Sequence, residues 1–259
     1  MRLKNKVAII TGAGSGVGRA TMVLFAKEGA RVVGTGRRMD RGQETVALVN
    51  DIRGEAIFVP ADVRVDDDAK RVVESAVNAF QRVDILINNA SVGYSYEGSM
   101  DDLARTPEAD WDDVVSINLK SVYTMSRHAI PQMRQAGGGA IVNVASVGGI
   151  LGMADAHAYS AAKGGVIALT RSMCVAYGPE NIRVNCLAPG GIDTPMIASR
   201  MAEINELLAD PEARYMVTPL GKIGTPEQMA HALLYLASDE AGFTHGAVLV
   251  VDGGSTATL

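Results

Sequence analysis

A tyrosine and a lysine four residues apart, Tyr159 and Lys163, are the side chains of this sequence best suited to proton transfer. On a helix, residues at this spacing share one face. A nearby ammonium stabilises a phenolate, which lowers the pKa of a tyrosine from its usual value of about 10 toward neutrality. Such a tyrosine can exchange a proton with an alcohol oxygen. The same spacing is common on ordinary helices, so the pair alone does not establish catalysis.

Ser146 is the second candidate for chemistry. It follows the apolar run at residues 140–145, which has the composition of a buried strand. Ligands of parallel sheets bind beyond the carboxyl ends of the strands. A serine hydroxyl placed there can donate a hydrogen bond to a carbonyl oxygen that gains negative charge as hydride is added.

A glycine-rich turn near the start of the chain indicates a nucleotide-binding loop. Gly12, Gly16 and Gly18 lie between the apolar run 7–10 and a helical stretch. This arrangement presents backbone N–H groups to a pyrophosphate, and glycine permits the unusual angles and the close approach. The spacing differs from the general Gly-x-Gly-x-x-Gly pattern, and no Gly-Lys-Ser/Thr follows, which excludes a nucleoside-triphosphatase loop. A turn that serves tight packing only is the alternative.

Strand and helix patterns alternate along the whole chain. This predicts a single α/β domain over residues 1–259, with a doubly wound, seven-stranded parallel sheet and helices on both faces. The predicted strands are 7–11, 31–35, 55–60, 84–88, 139–145, 183–188 and 247–251, and the predicted helices are 16–28, 40–52, 66–80, 108–134, 159–177 and 226–238.

Two longer loops leave the carboxyl ends of predicted strands, at residues 91–107 and 190–217. Long loops in this position are more often functional than spacers, so we expect 190–217 to act as a substrate loop or lid. A plain helical excursion at the domain edge is the alternative.

Composition and charge restrict the partners. The formal net charge of −5 argues against nucleic acid or an anionic membrane surface, and no apolar stretch is long enough to span a membrane. The first residues lack the apolar region of a signal peptide. The two cysteines, Cys174 and Cys186, lie in apolar surroundings and are expected to be reduced thiols. We therefore predict a cytoplasmic protein, and scattered histidines predict no catalytic metal.

The end of the second strand bears on the cofactor. A carboxylate there would hold ribose hydroxyls, but the chain has Arg37 and Arg38 instead. A guanidinium can bind a 2′-phosphate through two hydrogen bonds, so the two arginines favour NADP(H) over NAD(H). The alternative is that both arginines are solvated, with Asp40 capping the next helix.

With these features together, the chain resembles the short-chain dehydrogenase/reductase family over residues 7–254. The resemblance is carried by the glycine pattern, Asp62-Val63, Asn88-Asn89-Ala90, Asn118, Ser146, Tyr159, Lys163, Pro189-Gly190 and Ile192-Asp193-Thr194. It implies an NAD(P)-dependent oxidoreductase that moves hydride between NADP(H) and a carbonyl or secondary alcohol. In this family, long helices such as 108–134 and 159–177 pack between subunits, so the resemblance also implies a homotetramer.

The resemblance implies a catalytic set of Asn118, Ser146, Tyr159 and Lys163. Ser146 would polarise the carbonyl, Tyr159 would be the acid or base, and Lys163 would bind the nicotinamide ribose. Asn118 would hold a water that links the lysine to solvent. The implied cofactor contacts are Gly12, Ser15, Gly16, Val17, Gly18, Arg37, Asp62, Val63, Asn89, Ala90, Tyr159, Lys163, Pro189, Gly190, Ile192 and Thr194.

One departure stands at Ser91, where the family has glycine, so the backbone angle there must suit a residue with a Cβ. His157 is a candidate for the substrate side or the surface. Met153, Met196 and Met201 are candidates for an adaptable apolar wall or for core packing. Two other functions stay open. One is 3-oxoacyl reduction on an acyl carrier protein, which the negative charge of both partners disfavours, and the other is a non-catalytic dinucleotide sensor.

Overall fold

A computed structural model describes residues 1–93, 102–210 and 217–257. In this part of the chain, seven strands form one parallel sheet in the order β3-β2-β1-β4-β5-β6-β7. The strands are β1 Val7–Thr11, β2 Arg31–Gly36, β3 Glu55–Pro60, β4 Ile85–Asn88, β5 Gly139–Val144, β6 Ile182–Pro189 and β7 Val248–Val251. The predicted doubly wound parallel sheet is confirmed.

Helices cover both faces of the sheet. They are α1 Gly16–Lys27, α2 Met39–Asp51, α3 Asp66–Phe80, α4 Glu108–Val115, α5 Ser121–Gln135, α6 His157–Tyr177, α7 Met201–Ala209 and α8 Pro226–Ala237. No described helix is long and apolar enough to cross a membrane.

Strand β1 shows why its sequence is continuously apolar. Ala8 and Ile10 belong to a buried cluster with α1 and α8, whereas Val7 and Ile9 belong to a second cluster with α3, α5 and α6. Successive side chains of a strand point to opposite faces, and both faces are buried here. The core is therefore two apolar layers, one on each side of the sheet.

The strand order reverses between β1 and β4. Strand β1 pairs with β2 on one side and with β4 on the other, so the chain leaves these two neighbouring strands in opposite directions. A crevice opens at the carboxyl ends of the strands at such a point, and it is the usual ligand position in open α/β sheets. Both the glycine-rich turn after β1 and the loop after β4 start there.

The predicted helix 108–134 differs from the structure. It is interrupted between α4 and α5 by a π-helical turn, Ser116–Lys120, which contains Asn118. A π turn inserts one residue into the helical repeat, and apolar periodicity is too coarse to reveal it. Helix α2 begins at Met39 after Arg38, so Asp40 lies in the first turn and is not the cap considered above.

The two longer loops are described in part. Residues 94–101 of the loop after β4 and residues 211–216 of the expected lid lie outside the described residues. Within the lid segment, a 3₁₀ helix at Pro195–Arg200 leads into α7.

Candidate active site

The turn between β1 and α1 depends on two left-handed glycines. Gly12 has φ +70° and Gly16 has φ +51°. A Cβ on Gly12 would lie 2.9 Å from Nδ2 of Asn89, and a Cβ on Gly16 would lie 3.1 Å from Cγ2 of Thr194. Ser15 precedes α1 without making a side-chain cap, so the first N–H groups of α1 are not satisfied by it. The turn can therefore bring N–H donors close to an anion.

Gly18 has a different task from the other predicted glycines. A Cβ there would lie only 2.2 Å from the carbonyl oxygen of Gly12. The residue is not among those that line the crevice. Its small size lets α1 pack directly against the turn, so its contribution to cofactor binding is indirect.

Thr11 fixes the loop after β4, a role that sequence reasoning missed. Its Oγ1 accepts hydrogen bonds from the backbone N–H groups of Asn89 and Ala90, at 2.9 and 2.8 Å. Nδ2 of Asn89 donates to the carbonyl oxygen of Thr11 at 2.9 Å. The signal for this role in the sequence was a hydroxyl residue, Thr11, at the end of the apolar run of β1. These bonds hold the turn after β1 and the loop after β4 together.

A cavity of about 870 Å³ extends across the carboxyl ends of the strands. Of the residues implied to contact the cofactor, those that line it are Gly12, Ser15, Gly16, Val17, Arg37, Asp62, Val63, Asn89, Ala90, Tyr159, Lys163, Pro189, Gly190, Ile192 and Thr194. Ser146, Met153 and Met196 also line it, whereas His157 and Met201 do not.

Positive charge gathers at the β2 end of the cavity. Arg37, Arg38 and Arg41 are exposed residues of its wall. The carboxylate of Asp62 accepts hydrogen bonds from the guanidinium of Arg64 at 2.7 to 3.0 Å. This hydrogen bonding lowers the pKa of Asp62 below its usual value. The nearby carboxylate is thus neutralised by Arg64. Arg41 is ion-paired with Glu44 at 3.2 Å, and Arg37 and Arg38 are the other two cations at this end of the wall.

Tyr159 and Lys163 lie on the same face of α6, one turn apart. The exposed fraction of Tyr159 is 8% and that of Lys163 is 1%. Nζ of Lys163 lies 5.6 Å from the centroid of the Tyr159 ring and donates a 3.0 Å hydrogen bond to the carbonyl oxygen of Val144. Burial lowers the pKa of Lys163 to about 8, so the lysine is still mostly charged at neutral pH.

Ser146 and Tyr159 meet around Gly148. Oγ of Ser146 accepts a 3.1 Å hydrogen bond from the N–H of Gly148, which holds the turn after β5. A Cβ on Gly148 would lie 3.4 Å from Cε1 of Tyr159 and 3.5 Å from Oγ of Ser146. The serine hydroxyl can still donate its own proton toward a ligand. The sheet and α6 therefore bring the two predicted groups to one side of the cavity.

Asn118 is buried behind the cavity wall, with an exposed fraction of 1%. Its Nδ2 donates to the carbonyl oxygen of Val114 at 3.0 Å. Its Oδ1 accepts from Oγ of Ser91 and from the N–H of Val92, and both of these residues line the cavity. The asparagine is thus connected to the cavity by its hydrogen bonds to the loop after β4.

Comparison with known proteins agrees with this geometry. A family model described as enoyl-(acyl carrier protein) reductase matches residues 12–256. The chain is 40% identical over 252 residues to cis-4-hydroxycyclohexanecarboxylate dehydrogenase of Sinomonas cyclohexanicum, covering 97% of each chain. It is 38% identical to 3-oxoacyl-[acyl-carrier-protein] reductase FabG of Thermotoga maritima, over 98% of this chain and 99% of that one. The crystal structure of levodione reductase superimposes with a TM-score of 0.91 at 34% identity, covering both chains fully.

The chain belongs to the short-chain dehydrogenase/reductase family. It is an oxidoreductase that acts on CH–OH groups, and its family uses an NAD(P) nucleotide. Small-molecule alcohols and carbonyl compounds fit the activities named for its relatives.

The cavity of this short-chain dehydrogenase fits such a nucleotide. The two left-handed glycines leave room where a Cβ would intrude, and Arg37 and Arg38 place positive charge on the cavity wall. The described residues include no cluster of three or more His, Cys, Asp or Glu side chains that could hold a metal ion.

Proposed function

We propose that this protein transfers a hydride between NADP(H) and the carbon of a small carbonyl compound or secondary alcohol, using Asn118, Ser146, Tyr159 and Lys163. The observation that carries the proposal is the common cavity. It joins the glycine turn and the arginines to Ser146, Tyr159 and Lys163. When bound, a nicotinamide would supply the hydride acceptor or donor for the substrate carbon.

The protein's own groups handle the proton. Tyr159 gives a proton to the carbonyl oxygen in reduction and takes it from the alcohol in oxidation. Ser146 donates a hydrogen bond to the same oxygen as its negative charge develops. The ammonium of Lys163, 5.6 Å from the phenol ring, favours the phenolate electrostatically. Asn118 holds the loop of Ser91 and Val92 in place and is the proposed site of the water that leads protons to solvent.

The cofactor contacts proposed are those of the cavity wall, with Gly18 acting through packing. Arg37 and Arg38 support NADP(H) over NAD(H), because a guanidinium can bind a 2′-phosphate and Arg64 already neutralises Asp62. The decisive experiment compares kcat/KM for NADPH and NADH with one ketone substrate. Equal or better use of NADH would overturn the phosphate assignment.

A broad panel of alcohols and ketones, followed by the absorbance of the reduced nicotinamide, tests the reaction itself. Reduction of a 3-oxoacyl thioester is the second candidate, which the likeness to FabG favours. Cofactor binding with no turnover on the whole panel would instead support a dinucleotide sensor.

We also propose that the segment 190–217 is the substrate lid, since Thr194, Met196 and Ile204 in its described part line the cavity.

We propose that the protein is a homotetramer. Exposed apolar side chains such as Val175 at 80% and Phe243 at 106% support this assembly. Light scattering that gives the mass of a monomer would exclude the tetramer.

We further propose that the protein works in the cytoplasm, in keeping with its two free cysteines.

A further inference from the structure

We infer that the substrate is an uncharged and largely hydrocarbon alcohol or ketone, held against Tyr159 by Met153 and Met196. The inference rests on the proposed function, and it names the substrate class and two specificity-determining side chains.

The sulfur of each methionine lies beside a glycine that borders one edge of the Tyr159 ring. On one edge, a Cβ on Gly93 would lie 2.9 Å from Sδ of Met196 and 3.8 Å from Cε2 of the tyrosine. On the other edge, a Cβ on Gly148 would lie 2.5 Å from Sδ of Met153 and 3.4 Å from Cε1. Each sulfur therefore lies next to the space that a glycine leaves beside the phenol, and both methionines line the cavity with Tyr159. A molecule whose oxygen reaches the Tyr159 hydroxyl is expected to contact this methionine wall.

The loop after β4 and the lid segment add further apolar side chains to the cavity wall, which are Val92, Ile197, Ile204, Leu207 and Val217. Among the described lid residues that line the cavity, the charged one is Arg200, and its guanidinium already donates to the carboxylate of Glu203 at 2.7 to 3.0 Å. A substrate carboxylate would have to compete with Glu203 for it.

This wall penalises polar substrates. A carboxylate or a row of hydroxyls placed between thioethers loses its hydrogen bonds to water and gains few in return. A site without matching polar groups commonly discriminates about tenfold to hundredfold. Methionine is flexible and polarisable, so the same wall adapts to hydrocarbon groups of different shape. The expected pattern is tolerance of shape with rejection of charge.

A matched pair of alcohols tests the inference. Cyclohexanol and 4-hydroxycyclohexanecarboxylate share the reacting ring and differ by one carboxylate, and ribitol serves as a polyhydroxylated probe. We expect kcat/KM with NADP⁺ to be at least about tenfold higher for cyclohexanol than for either of the others. A preference for the carboxylate or the polyol overturns the substrate class while leaving the dehydrogenase function intact. Failure of all alcohols and ketones instead contradicts the proposed function.

Variants assign the preference to the two methionines. Met196→Gln and Met153→Gln are expected to lower kcat/KM for cyclohexanol about tenfold, while the Kd of the cofactor changes less than twofold. Met196→Leu keeps the apolar contact and should retain most of the activity. Leu48→Gln is the control, because Leu48 is a half-exposed apolar residue of α2 that does not line the cavity and lies outside the lid. Equal losses in Leu48→Gln and Met196→Gln would overturn the assignment.

Binding gives a readout besides turnover. Trp111 is the single tryptophan of the sequence, and it packs in one cluster with Met153 and Tyr159. With the cofactor bound, cyclohexanone should change its fluorescence saturably, and 4-oxocyclohexanecarboxylate should require at least about tenfold higher concentration. Tighter binding of the carboxylate would contradict the inference.

Discussion

Oγ of Ser91 donates a 2.5 Å hydrogen bond to Oδ1 of Asn118, the buried asparagine of the π turn. The N–H of Val92 donates to the same oxygen at 3.2 Å. Ser91 is not among the residues with positive φ, so its Cβ causes no backbone strain there. The backbone at the family's glycine position therefore accommodates a serine, and the hydroxyl adds a bond that glycine cannot make.

Removal of this hydroxyl should weaken catalysis more than cofactor binding. We expect Ser91→Ala to lower kcat about three- to tenfold, because a hydrogen bond of this kind contributes about 1 kcal/mol. The KM for the cofactor should change less than twofold, and Ser91→Thr should restore most of the activity. Steady-state kinetics of the three proteins checks this. An Ala variant with the kcat of the unmodified protein would show that Asn118 needs no help from position 91.

Tyr159 should be indispensable for turnover but not for binding. Tyr159→Phe removes the proton carrier and is expected to lower kcat by about 10²- to 10⁴-fold, with the Kd for the cofactor almost unchanged. Tyr123→Phe is the control, because Tyr123 is a half-exposed tyrosine of α5. Retention of turnover in Tyr159→Phe would exclude the proposed acid–base role.

Arg37 should set the cofactor preference. Arg37→Ala is expected to raise the KM for NADPH about tenfold, since a charge-assisted hydrogen bond contributes about 1.5–3 kcal/mol. The KM for NADH should stay the same. Arg171→Ala, an exposed arginine of α6 that does not line the cavity, should change neither value. If the ratio of the KM values for NADPH and NADH is unchanged in Arg37→Ala, Arg37 does not bind the 2′-phosphate.

The burial of Lys163 should appear in the pH dependence of stability. Its pKa is lowered to about 8 in the folded protein from 10.5, so between these values the unfolded chain holds a proton that the folded chain has lost. The free energy of unfolding of the unmodified protein therefore rises with pH over this window and carries a constant penalty below it.

Lys163→Met should remove this penalty. The variant is expected to be more stable at pH 7, by at most about 3 kcal/mol, and the advantage should shrink as pH approaches 10.5. Urea unfolding of both proteins at pH 7 and pH 10, without added cofactor, gives the comparison. A difference independent of pH would mean that the lysine is not desolvated. Enzyme activity should be lost in the same variant.

Gly18 should be important for the stability of the fold, because α1 packs directly against the glycine turn at this residue. Gly18→Ala places a Cβ against the carbonyl oxygen of Gly12, so α1 must move, and we expect a loss of about 2 kcal/mol or more in stability. At Gly152 a Cβ would meet nothing within 4 Å, so Gly152→Ala should have little effect. Thermal unfolding distinguishes the two, and equal melting temperatures would contradict the packing role.

Local patterns in the sequence were sufficient for the fold class and for the pairing of Tyr159 with Lys163, whereas most of the expected cofactor contacts came from the family resemblance. Continuous apolar runs predicted the buried strands, because both faces of the sheet are covered. The alternation of strands and helices predicted that the strands run parallel. The spacing of Tyr159 and Lys163 predicted a shared helical face because four residues make about one turn. Each of these features depends on residues close together in the chain.

The tertiary structure alone decided which distant residues meet. The contact of Ser91 with Asn118 and the hydrogen bonding of the Asp62 carboxylate by Arg64 were not predicted. Met153 and Met196 were candidates for an apolar wall, but their position near Tyr159 was not predicted. The π turn and the depth of burial of Lys163 were missed for a related reason. Composition and periodicity report which face of an element is apolar, whereas hydrogen bonds and desolvation depend on the positions of atoms from several elements packed together.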